Sequence, residues 1–196
     1  MQCPQPQLLF YGKAIPERPN IKVVGVTFSS DLTWTGHINS VVSKAKRSLF
    51  LLRRASLVLN PTALCTIYKS HVRSRMEYCC PLWFGAPASH LAKLDRIQAA
   101  AARIIGPPAK DLQSLSHRRH VAAHCVMHRL VTKRAPIALH QLIPPAAPTV
   151  RSSARLGRAG QPSFKINQLS KSNYWWDSCL PSLTRMWNML PGAVHA

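Results

Sequence analysis

The stretch Ile38-Asn39-Ser40-Val41-Val42-Ser43-Lys44-Ala45-Lys46-Arg47-Ser48-Leu49-Phe50-Leu51-Leu52-Arg53-Arg54 sets the fold class. Ile38, Val41, Val42, Ala45, Leu49 and Leu52 recur at spacings of three and four, which places them on one face of a helix. Lys44, Lys46, Arg47, Arg53 and Arg54 cover the remainder. Downstream, Asn60 as cap and Pro61 at the first helical position open a second helix that ends before Pro81. Its apolar face is read as Leu64, Ile67, Tyr68, His71 and Val72. A third helix spans about Ser89 to Gly106, with Leu91, Leu94, Ile97, Ala101, Ile104 and Ile105 aligned, and Gly106-Pro107-Pro108 stops it. A fourth covers 112–134, and a short terminal helix starts at Pro181, carries Leu183, Met186, Trp187 and Leu190, and stops at Pro191-Gly192.

Upstream, residues 8–28 read as β structure: Leu8-Leu9-Phe10-Tyr11, then the β-branched run Ile21-Lys22-Val23-Val24-Gly25-Val26-Thr27-Phe28, paired as a small antiparallel element. Between Pro144 and Pro162 the chain is rich in Pro, Ser, Gly and Arg and reads as a basic linker. The expected fold is therefore mainly α, with a short N-terminal β-hairpin, a helical bundle and a basic, partly irregular tail ending in a short helix. The divisions fall at 1–32, 33–108, 109–143 and 144–196.

Charge narrows the partners. Lys and Arg number 26 against 6 Asp and Glu, a net +20. Such a field favours phosphate polymers or anionic surfaces and is silent about fold. No apolar stretch approaches the length of a membrane-spanning helix, so no membrane is expected. No signal peptide is seen at Met1, and the six cysteines form no CxxC pair. Free thiols in a reducing compartment, nuclear or cytoplasmic, are the expectation.

Catalytic chemistry finds little footing. Two-metal phosphoryl transfer needs converging carboxylates, and Glu17, Asp31, Glu77, Asp95, Asp111 and Asp177 stand singly in the sequence. Asp95, beside Lys93 and Arg96, reads as a solvated ion pair. His117, His120, His124 and His128 share the fourth helix, and the last three recur every four residues, a spacing that can present imidazoles to a metal. With no ligand evident from a second element, a polar helix face is the preferred reading and no metal or other cofactor is expected. Basic clusters recur about once per helix: Lys44/Lys46/Arg47, Arg53/Arg54, Arg73/Arg75, Arg118/Arg119 and Lys133/Arg134. Almost uncompensated by acid, they point to phosphate contacts that position without reading bases. Of the aromatics that could stack on bases, Trp34, Trp83 and Trp187 read as core anchors, while Tyr174-Trp175-Trp176 has no periodic explanation.

One resemblance spans nearly the whole chain. Lys22-Val23-Val24-Gly25-Val26-Thr27-Phe28, Leu32-Thr33-Trp34 and His37-Ile38 resemble the segment just after the palm in LINE-type (non-LTR) retrotransposon reverse transcriptases of the jockey-like kind. The likeness continues through Leu51-Leu52-Arg53-Arg54, Tyr68-Lys69-Ser70-His71-Val72-Arg73, Met76-Glu77-Tyr78, Pro81-Leu82-Trp83, Leu94-Asp95-Arg96-Ile97-Gln98, Arg103-Ile104-Ile105-Gly106, Leu115-Ser116-His117-Arg118-Arg119 and Trp187-Asn188-Met189-Leu190-Pro191. Departures are Ser29-Ser30 after the "LGVT"-like run and His120, at positions where the family often carries an acid. The resemblance implies a truncated C-terminal part of an RNA-directed DNA polymerase. Residues 8–28 would end the palm and 33–106 would form the thumb that grips template and growing strand. The family's YADD-type catalytic motif is absent from this sequence, so no enzyme activity of its own is expected. Lys44, Lys46, Arg47, Arg53, Arg54, Arg73, Arg118 and Arg119 are the expected phosphate contacts. The expected partners are RNA or DNA as a template–primer duplex, bound without sequence preference, and the palm and fingers of the same polymerase. The alternative is a helical interaction module that docks on a larger polymerase or adheres generally to RNA.

Overall fold

A computed structural model describes residues 8–143, 145, 164 and 178–190. The linker expected at 144–162 and the Tyr174-Trp175-Trp176 run lie outside the described residues, apart from position 145. The architecture is mainly α with small antiparallel strand pairs at the N-terminal side.

The β region consists of two separate hairpins, where a single pair was expected. Strands β1 (Leu9–Phe10) and β2 (Lys13–Ala14) form one; β3 (Asn20–Val23) and β4 (Val26–Ser29) form the other. The β-branched run 21–28 folds back on itself, Val23 opposite Val26 and Ile21 opposite Phe28. The reason lies in two-residue loops. Tyr11-Gly12 and Val24-Gly25 each place both residues at positive φ, 47° and 73° in the first and 46° and 84° in the second. Such turns match the right-handed twist of the flanking strands. Tyr78 secures the second turn: its hydroxyl donates to the Val24 carbonyl at 2.8 Å. A Cβ on Gly25 would lie 3.4 Å from the Tyr78 ring.

Helix α1 (Thr35–Ala55) buries His37, Ile38, Val41, Val42, Ala45, Ser48 and Leu52. Helix α2 (Pro61–Ile67) starts as expected, with Asn60 Oδ1 accepting from the Ala63 N–H at 2.8 Å. It runs through a π-helical turn, Tyr68–Arg73, into α3 (Ser74–Glu77). Leu64, Tyr68, Val72 and Met76 are all buried. A strict spacing of four drifts round an ordinary helix, and the wider π turn takes up that drift. His71 is exposed, against its expected place on the apolar face, because that face follows Val72 and Met76 instead.

Helix α4 (Ala88–Ile105) lies mainly against α1. It ends at Gly106, whose φ is 80°, and a 3-10 turn, Pro107–Asp111, follows. Helix α5 (Leu115–Val131) is capped by Ser114, which accepts from the His117 N–H at 3.2 Å. Then come α6 (Ile137–His140) and α7 (Cys179–Asn188). The main core gathers α1 to α4 around Trp83, Tyr68 and Leu94 and extends past residue 108 to Leu115. A second core joins α5 to α7 through Ala123, Met127, Leu130, Leu183 and Trp187. Helix α5 thus belongs to both cores, and the terminal helix is packed against it.

Candidate nucleic-acid interface

At 100° per residue, the outward face of α1 sorts its cations into rows. Lys46 and Arg53, seven residues apart, lie in one row; Arg47 and Arg54 form the next. Within each row the rise separates the pair by ~10 Å. All four are exposed, and no ion pair involves them among the described residues. Lys44 is exposed as well but stands on the opposite flank of the helix.

The other expected contacts sit differently. Arg119 is 4% exposed, and its Nη2 lies 3.3 Å from Asp95 Oδ1 on α4. A buried guanidinium already paired across two helices presents nothing to a phosphate, so its expected role is corrected to a structural one. Arg118 grips Glu77 with two bonds, one from Nε and one from Nη2 at 2.8 Å. Those bonds hold the guanidinium firmly protonated, against a smaller opposing effect of burial. Arg73 Nε lies 3.8 Å from the same carboxylate. Arg118 therefore fastens α5 to α3, while Arg73 pairs with Glu77 one turn along the same helix. Asp95 pairs with Arg119 and not with its helix neighbours; Lys93 donates instead to Asn39 Oδ1 at 2.8 Å.

Sequence spacing alone could not have paired these groups. Arg119 interrupts the apolar row Leu115, Ala123, Met127 and Leu130, which was a signal of burial, but the partners of Arg118 and Arg119 lie 41 and 24 residues away in sequence.

Glu77 and Asp95 neutralise arginines at helix junctions. Asp31 accepts from the Ser29 hydroxyl, the Thr33 N–H and the Thr33 hydroxyl, and these bonds hold its carboxyl below the ordinary range. Among the described residues none of the three is paired with a cation of the rows on α1.

The histidines of α5 are tied into their own helix. His120 Nδ1 lies 2.7 Å from the Ser116 carbonyl oxygen, and His124 Nδ1 lies 2.8 Å from that of His120. Among the described residues no group of three His, Cys, Asp or Glu side chains is placed to hold a metal ion. Trp83 and Trp187 are buried and Trp34 is half-buried, so these three rings serve the cores. Among the described residues no helix is long and apolar enough to cross a membrane.

One residue of this face was not picked out by the sequence reading. Phe50, 60% exposed, lies between the two cation rows. Its signal was available, since Lys46, Arg47, Arg53 and Arg54 are its i±3 and i±4 neighbours.

Comparison of the chain with protein-family models, with curated proteins and with solved structures returns no match.

Proposed function

We propose that this chain binds nucleic-acid duplex through its phosphate backbone, without sequence preference, as the thumb-like C-terminal part of a retrotransposon reverse transcriptase. The observation that carries the binding reading is the segregation of charge. The acids at helix junctions are spent on Arg118 and Arg119, while Lys46, Arg47, Arg53 and Arg54 stay exposed on one face of α1 with no acid paired to them among the described residues. A surface of that kind lowers its self-repulsion by displacing counterions from a polyanion. The polymerase context rests on the resemblance in sequence.

The test is the affinity of the full chain for an RNA–DNA hybrid across a range of salt concentrations. Affinity should fall steeply, and Arg47→Gln with Arg54→Gln should lower the log–log slope by about 2, close to one for each phosphate no longer neutralised. A flat salt dependence, or a loss confined to one sequence, rules this reading out.

A second reading, a module that docks on a larger protein, is favoured by the exposed apolar residues of the hairpins: Leu9, Phe10, Ile21, Val23 and Val24. Two-stranded sheets are marginal alone and leave edges open for pairing. Amide exchange from β1 to β4 should then be fast in the isolated chain and slow once a partner is added. Protection already complete in isolation counts against it.

A further inference from the structure

We infer that Phe50 is a stacking platform for one unpaired base, so that the α1 face takes single-stranded nucleic acid and not duplex alone. The inference rests on the polyanion reading above and adds the ring to it. Phe50 lies past the midpoint of α1 with its side chain 60% exposed. Its helical neighbours at i−4, i−3, i+3 and i+4 are Lys46, Arg47, Arg53 and Arg54, all exposed. Residues at those offsets stand ~5–6 Å apart at Cβ. A single aromatic ring thus sits in a frame of four cations, with no acid paired to any of them among the described residues.

A stacked base needs a ring face of this kind and cations within reach of its flanking phosphates. Phosphate contacts alone account for the cations but leave the exposed ring unexplained. An anionic membrane would use the same residue types in another order. An inserting helix keeps its apolar residues together and its cations at the edges. Here Arg47 and Arg54 occupy the middle of the face, between Phe50 on one side and Leu51 on the other, so insertion would bury guanidinium groups.

The experiment compares the full chain with its Phe50→Ala, Phe50→Leu and Phe50→Trp variants. The probes are labelled oligothymidylate and a blunt RNA–DNA hybrid with the same number of phosphates. Alanine and leucine should weaken oligothymidylate binding by about tenfold, tryptophan should retain it, and the hybrid should change less than about twofold. Equal affinity of all four proteins for oligothymidylate overturns the inference, as does a loss that is the same on both probes. Binding to phosphatidylserine vesicles that needs Phe50, with oligothymidylate binding indifferent to it, overturns it too. If the unsubstituted chain binds neither nucleic acid, the parent reading falls with it. If it binds the hybrid and Phe50 makes no difference, only the stacking inference falls.

Discussion

His37 sits where β4 meets α1, its ring near those of Trp34 and Trp83. Nδ1 accepts the Thr27 N–H at 3.2 Å, which requires the neutral ring. Nε2 is buried with no hydrogen-bond partner among the described residues. Burial first, and then the charge of Lys44, lower its pKa from the ordinary 6.5. In the unfolded chain the ring takes up a proton that the folded chain refuses. Stability from this residue is therefore complete above 6.5 and falls as the pH drops through that value towards the lowered one. Urea midpoints at about pH 7.5 and about pH 5.5 should show the loss, and His37→Asn should flatten it. Val24 offers a second check. A β-branched residue at φ 46° is strained, and the side chain is 80% exposed. Val24→Asn should stabilise by about 1 kcal/mol in chemical denaturation, because Asn tolerates the left-handed region.

At the scale of elements, two ion pairs fix α5. The Asp95–Arg119 pair is asymmetric: Arg119 is buried, whereas the Asp95 side chain is 47% exposed. Removing the acid strands a buried charge, and replacing the arginine removes that charge altogether. Asp95→Ala should cost about 2 kcal/mol, whereas Arg119→Met should fall within about 1 kcal/mol of the parent. Equal losses in the two variants would show that Arg119 has another acceptor. The Glu77 pair is judged by a different readout. Arg118→Gln should lower the denaturation midpoint while leaving hybrid affinity closer to the parent's than Arg54→Gln does, since only Arg54 is free for phosphate. Helix α2 and its π turn illustrate how an element answers to its neighbours. The local pattern fitted an ordinary helix ending before Pro81, and burial of Tyr68, Val72 and Met76 against α1 selected the wider turn.

Over the whole molecule, net charge and packing are linked. With 26 basic and 6 acidic residues, repulsion is reduced among the described residues where Glu77 and Asp95 meet arginines. Raising salt should therefore stabilise the chain against urea while weakening its grip on nucleic acid. Midpoints and affinities measured in the same buffers would show opposite trends, and parallel trends would contradict the division between structural and surface arginines. Thiol reactivity should follow packing in the same way. Burial pushes the Cys80 thiol to about 11, so the native chain should be alkylated at exposed Cys125 well before Cys80.

Much of the helical order was legible along the chain because helix periodicity, Asn60-Pro61 and Gly106-Pro107-Pro108 act through residues within a turn or two. The basic character and the isolation of the acids were equally plain from composition and spacing. The hairpin at Val24-Gly25 was hidden because a β-branched residue rarely accepts positive φ, and here a hydrogen bond from Tyr78 helps to hold the turn. What the tertiary structure alone decided is which arginines are available. Arg119 faces Asp95 and Arg118 faces Glu77 only once α5 lies across the bundle, whereas Arg47, Arg53 and Arg54 stay outside because the core covers the other side of α1. Charge is a property of the residue, but its availability depends on what the fold places within a few ångströms.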